Sequence, residues 1–522
     1  MNLFSRERAG DIYFTGLLLL AAGLPLSLFA MSIAQFVIAA SFIIERNYRG
    51  RIQKFLLNLP ALTITGIYIL HLIGLAWTEN FSWGAHDIKM KLPLFILPFL
   101  ISSAPALSRR RFEALLAIFV LAVLTGSLIA TAVLTGIISH PVNDIRDIFI
   151  FHISHIRFAL LTCVSIFTAG YLLYNNFHQW SALKKIFTAI TIAWLIVFMV
   201  LAESVTGLAI LVAVTAIVCF YLLFKNKSWR VSLFIVIFLS GVSVAAISFL
   251  KSAYRELATV HPVDLNPAVT TPQGKPYNNY PLETQRENGH LVWMYICEDE
   301  LREEWNKRSR IHYDSLDGRK QLLRFTLIRF LASKGLRKDS GGVRSLPDEE
   351  IHSVERGIAN VSYQGASNLK ARILQMFIEY NTFVEGGNPS GYSVAQRMEY
   401  WKAALGIFKD NIFFGVGTGD IVNAYPPQYE KMKSRLEPGL RLRAHNQYLT
   451  FAATFGISGL LWFIFALVFP MRSLKKSRDF HYITFWLVAM LSMLTEDTLE
   501  TQAGVTFFAF FNCLFLFARD DE

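Results

Sequence analysis

Charge is scarce in this sequence. Asp, Glu, Lys and Arg together make up 17% of its 522 residues, while 53% are hydrophobic and 14% aromatic. Soluble domains carry roughly a quarter charged residues, so the shortage excludes an ordinary soluble protein and points to a polytopic membrane protein. Cysteine is nearly missing: Cys163, Cys219 and Cys513 fall within apolar runs, and Cys297 stands alone in a polar region. That usage excludes a disulfide framework and a cysteine-based metal site. Acidic residues are outnumbered, 39 against 50 basic ones, for a net charge of +11. The excess does not build a nucleic-acid interface, because it lies in short clusters between apolar runs, where it faces anionic lipid.

What is abundant is apolar sequence. Runs near 12–27, 29–44, 58–77, 93–106, 112–138, 157–175, 186–202, 205–224, 231–250, 447–470, 481–497 and 503–517 predict about twelve transmembrane helices. The first, second, fourth and last are short for a full span. Arg6 and Arg8 before the first run mimic a signal peptide, but a second apolar run follows at once, so an uncleaved hairpin is expected. Basic clusters at Arg46–Lys54, Arg109–Arg111, Lys184–Lys185, Lys225–Arg230 and Arg472–Arg478 mark cytoplasmic turns. The turns at Glu203 and at Thr495–Gln502 hold no Lys or Arg. This asymmetry predicts both termini in the cytoplasm. The expected organisation is a membrane domain over 1–250 with nine spans, a mainly helical extracytoplasmic loop domain over 251–444, and three spans over 445–522.

Several polar features lie at the outer mouths of these spans. Trp77 to Lys91 is too polar to cross and suits an interfacial stretch, either a lid over a lipid or an ordinary loop with aromatic anchors. His152 and His155 are three apart, yet no third ligand with metal spacing is nearby, and no metal is expected. Arg157 enters the next span, where it either snorkels or holds a phosphate. Glu203 sits in a tight turn, as a candidate carboxylate or a solvated interfacial group. Glu496, Asp497 and Glu500 close the penultimate span and are suited to tune a histidine, bind sugar or cap the helix. Gly415-Val416-Gly417-Thr418-Gly419 follows no strand and reads as a tight turn, not a phosphate loop.

The most informative stretch is Arg443-Ala444-His445-Asn446-Gln447, at the mouth of an apolar run; nine residues separate Asn446 from Gly456-Ile457-Ser458-Gly459. Upstream lie Arg397 and Trp401, then the Gly-x-Gly turn. This order and the H-N-x9-G-x-x-G pattern resemble the bacterial O-antigen ligase family, polytopic glycosyltransferases of the GT-C type. The resemblance covers the membrane parts and 391–461; residues 255–380 match no motif. Val205 stands where the family often has an arginine, so either another arginine such as Arg157 supplies that charge or the donor is held differently.

The resemblance implies an inner-membrane enzyme with its active site on the periplasmic face. It would move a glycan from an undecaprenyl-diphosphate carrier to lipid A–core or another glycan or protein acceptor, with inversion and without metal or cofactor. A histidine is suited to take the acceptor's proton, and arginine forks to hold a diphosphate. His445 is the expected base, with Arg397 and Arg443 the phosphate clamp and Arg441 and Arg157 in reserve. Asn446 is suited to orient the histidine or a sugar, and Glu203 and Glu496 complete the substrate-binding candidates. An O-antigen polymerase or a protein O-oligosaccharyltransferase would share these parts. A flippase without chemistry is the rival outside the enzyme class, though no internal repeat supports it.

Overall fold

In a computed structural model, the chain is described over residues 6–140, 145–151, 153–225, 229–257, 261–262, 264, 266–283, 285–318, 321–363, 373, 376–377, 380 and 393–519. His152, Lys227, Gly391 and Tyr392 lie outside the described residues. Two compact units emerge, one formed by 1–224 with 397–522 and the other by 225–396.

The first unit is a helical bundle. Among the described residues, seven helices are long and apolar enough to cross a membrane: Glu7–Leu26, Leu28–Glu45, Arg109–Leu134, His155–Asn175, Ala182–Leu201, Val205–Phe224 and Gln447–Ser473. An eighth is counted if Tyr48–Leu56 and Leu59–Ile73, bent by 85° at a short break, form one span. The chain is thus a mostly helical membrane protein. Three further expected spans form shorter helices, Pro93–Ser103, Phe480–Ser492 and Gln502–Phe517. At 1.5 Å per residue these reach only about 16 to 24 Å, less than the roughly 30 Å hydrocarbon core.

Burial explains which helices sit inside. Gln502–Phe517 carries apolar side chains all round, and every residue from Gly504 to Leu516 is buried. Its phenylalanines Phe507, Phe508, Phe510, Phe511 and Phe515 fill the centre of the bundle. Ala182–Leu201 instead exposes Ile186, Phe187, Ile190, Val197 and Val200. Such a continuous apolar face is at home only in lipid.

Two local devices position the end of the bundle that carries His445. The polar stretch after Trp77 becomes a helix, Phe81–Lys91, capped by Asn80 through the Trp83 amide. Asp420 accepts from the Glu79 and Asn80 amides at 2.9 and 2.8 Å, tying that stretch to the chain after the Gly-x-Gly turn. The long helix Gln447–Ser473 breaks at Gly456, whose φ of 65° lies in the left-handed region. There the 412–417 segment satisfies the freed backbone groups: Val416 and Gly417 amides donate to the Ala453 and Thr454 carbonyls, and the Ile457 amide donates to Ile412. Gly415 and Gly417 also have positive φ, so the Gly-x-Gly turn is a structural wedge against this helix.

The second unit holds the helix Trp229–Leu257 and a small fold with its own core of Leu301, Trp305, Tyr313, Leu327, Phe330 and Val354. Its helices are Glu298–Arg308, Leu323–Ser333, Ser340–Arg344 and Asp348–Glu355. A two-stranded antiparallel hairpin, Arg286–Glu287 with His290–Leu291, turns on Asn288-Gly289. Both turn residues have positive φ, as an Asn-Gly hairpin requires.

Candidate active site

The segment 440–444 is held at this end of the bundle by three tyrosines. The hydroxyls of Tyr400 and Tyr429 donate to the Leu440 and Leu442 carbonyls, and the Ala444 amide donates to the Tyr425 hydroxyl. His445 follows with φ of 46°, uncommon for a residue bearing a side chain. It is held there because its amide donates to Asp497 Oδ2 at 3.0 Å. Asn446 caps the next helix, accepting from the Leu449 amide and donating to the Leu494 carbonyl. Its polar atoms therefore fix the turn that presents His445.

The loop 493–501 supplies the carboxylates. Glu496 Oε1 accepts from Arg397 Nη2 at 2.8 Å, and Glu496 Oε2 lies 3.7 Å from His445 Nδ1. Burial alone would push the Glu496 carboxyl up, but His445 and Arg397 hold it below its ordinary range. Asp497 moves the other way, raised by burial and by the neighbouring Glu500 charge. Glu500 accepts from Lys91 and Arg443 at 3.0 Å each and from Gln447 Nε2 at 3.1 Å. Despite burial, these cations keep its carboxyl well below the usual range. Lys91 also pairs with Asp87, and the Arg443 guanidinium lies 5.8 Å from the centre of the Trp83 ring.

A narrow cleft opens beside Glu496 of this cluster. Its walls are apolar, with Leu24, Leu160, Leu161 and Phe507, and its polar lining includes Arg157 and Glu496. Arg157 Nε is buried there without a hydrogen-bond partner among the described residues. A buried donor of this kind is costly unless a ligand or water satisfies it.

Arg397, His445, Glu496 and Arg157 thus meet around one carboxylate and one cleft, with Arg443 alongside through Glu500. Arg441 is engaged elsewhere, by Glu430 and the Leu436 carbonyl. Glu203 sits half-buried in a left-handed turn between two spans. Among the described residues no group of three or more His, Cys, Asp or Glu is arranged to hold a metal. The sequence reading missed the buried chain Asp87–Lys91–Glu500–Arg443. Its one local signal was the spacing of Asp87 and Lys91, one helical turn apart.

Residues 361–464 match the family model for O-antigen ligase. The resemblance drawn from His445-Asn446 and Gly456 is therefore shown over that segment. Arg397, Arg441, Arg443, His445 and Asn446 lie within the match; Arg157, Glu203, Glu496 and Glu500 lie outside it. No curated protein matches the chain. A family of this kind works generally as glycosyltransferase-type ligases and polymerases, on lipid-linked glycans and their acceptors.

Proposed function

We propose that the chain is an inner-membrane O-antigen ligase that transfers a glycan from undecaprenyl diphosphate to an acceptor of the lipid A–core type, at a site facing the periplasm. The observation that carries this reading is the Glu496 carboxylate, shared by Arg397 and His445 and lining a cleft with Arg157. The apolar walls of that cleft suit a polyprenyl chain, and its arginine suits the diphosphate.

In the reaction, the acceptor hydroxyl attacks the anomeric carbon as the bond from that carbon to the diphosphate oxygen breaks. His445 takes the hydroxyl proton. Glu496 beside Nδ1 orients the ring, leaves Nε2 for the proton and stabilises the imidazolium that forms, as carboxylates do for catalytic histidines elsewhere. The leaving diphosphate gains charge, which Arg397 and Arg157 neutralise in a site walled by apolar groups. Direct displacement inverts the anomeric centre and uses no metal.

A deletion strain tests the reading through the fate of the glycan. Loss of a ligase leaves long glycan on the carrier at the outer face and an acceptor without it. Acceptor capped with a single repeat unit would instead identify a polymerase, and inward-facing carrier would identify a flippase.

A further inference from the structure

The second unit contains a cleft of about 200 Å³ that the chemistry above does not use. One wall is the Asn-Gly hairpin, and the other is the turn from Gly335 to Lys338. Cationic groups converge on it. Arg286, Arg337 and Lys338 line it, together with the imidazoles of His261 and His290. Those two rings stack with centroids 3.9 Å apart and planes 11° from parallel.

Asp264 is the one acidic residue lining the cleft among those described, and it is already engaged, accepting from the Tyr295 hydroxyl at 2.5 Å. The nearby Glu287 is occupied by Arg329 and Asn360. Lys338 is only 3% exposed, and its ammonium donates to the Leu291 carbonyl at 3.1 Å, with no carboxylate beside it among the described residues. A buried ammonium without a counter-ion is expensive in a folded protein.

The cleft is also rigidly built. Gly335 has φ of 67°, and a Cβ there would come within 2.9 Å of the His290 ring. Tyr295 has φ of 58°, a true outlier for an aromatic residue, and its ring lies under the Arg337 guanidinium at 5.1 Å. Strain of this sort persists where the surroundings enforce it and gathers at ligand sites.

We propose that this cleft binds the carboxylate or phosphate of an acidic sugar, resting on the reading of the protein as a glycan transferase. Lys338 and Arg337 would hold the anion, the His261–His290 pair would donate to it, and Tyr295 would offer a face to the sugar ring. Burial pulls the Lys338 ammonium down to about 8, and burial with the neighbouring cations pushes His290 below its ordinary value. A bound anion relieves both.

The full chain in nanodiscs of zwitterionic lipid provides the test, by calorimetry with glucuronate, glucose 6-phosphate, glucose and inorganic phosphate. Both acidic sugars should bind and glucose should not. Lys338→Met and the exposed Arg337→Ala should each weaken binding roughly tenfold or more, as loss of a charge-assisted contact does. His445→Ala should bind as the parent does, so a failure of the transferase reading would leave this binding untouched. Unchanged binding in a folded Lys338→Met, or in Arg337→Ala should the first not fold, would overturn the site. Phosphate binding with no binding of glucuronate would overturn its assignment to sugar.

Discussion

Removing the carboxylate of Glu496 would release two groups at once, because Arg397 lies 2.8 Å from one oxygen and His445 3.7 Å from the other. Glu496→Gln keeps the shape but loses the charge that stabilises an imidazolium. Transfer by this variant should fall, though less than by His445→Ala, for which a loss of roughly 10²–10⁴-fold is expected. Equal activity of Glu496→Gln and the parent would leave the carboxylate a structural role only. At Arg397, lysine should be nearly as damaging as alanine, since an ammonium cannot reproduce the planar fork that grips a diphosphate. Full rescue by Arg397→Lys would show that bare charge suffices there.

Glu500 poses a different residue-scale question, one of stability. Its carboxylate compensates Lys91 and Arg443, both within 3.0 Å. Glu500→Gln leaves buried Lys91 with Asp87 alone and partly exposed Arg443 without its carboxylate, and should destabilise the fold by about 1–3 kcal/mol. The folded carboxyl is held below its ordinary value of 4.5, so ionised Glu500 is favoured by folding. Its stabilisation is complete above that ordinary value and is lost as pH falls through the lower folded one. Thermal melts in detergent should therefore decline more steeply below about pH 4.5 for the parent than for Glu500→Gln. Parallel declines would contradict the assignment.

At the scale of elements, the broken helix explains the spacing of the motif. His445 must sit at a helix mouth, and after nine further residues beyond Asn446 the helix must break at Gly456 to admit the 412–417 wedge. A Cβ on Gly456 would come within 2.6 Å of the Ile412 carbonyl oxygen. Gly456→Ala combines that clash with a positive φ and should cost roughly 1–3 kcal/mol, read as a lowered melting temperature. A melt unchanged from the parent would mean the wedge yields freely. His445, Arg397 and the helix mouth were legible in the sequence because they rest on local pattern. The pairing of Lys91 with Glu500 was not, since it joins residues 409 apart in the chain. Asn446, expected to orient the histidine or a sugar, bonds the Leu449 amide and the Leu494 carbonyl and so fixes the turn that presents His445, a partnership with residue 494 that sequence spacing does not reveal.

For the whole molecule, apolar runs revealed a membrane bundle, and run length marked Pro93–Ser103 and Gln502–Phe517 as short, but it also marked Glu7–Leu26 and Leu28–Glu45, which are long enough to cross, and passed over the short Phe480–Ser492. The 225–396 unit was legible only as a folded polar region, because its core assembles from short helices with no repeating signature. The proposed topology puts a reporter fused after Phe224 in the cytoplasm and one inserted within 255–380 outside. Both on one side would break it.

The most direct measurement is transfer in proteoliposomes, from a glycan on undecaprenyl diphosphate to lipid A–core, by the parent and by His445→Ala of matched melting temperature. The parent should form the glycosylated acceptor with release of undecaprenyl diphosphate, and the variant should form almost none. Near-parental transfer by well-folded His445→Ala would contradict the base assignment. No transfer by the parent to any hydroxyl acceptor would contradict the ligase itself.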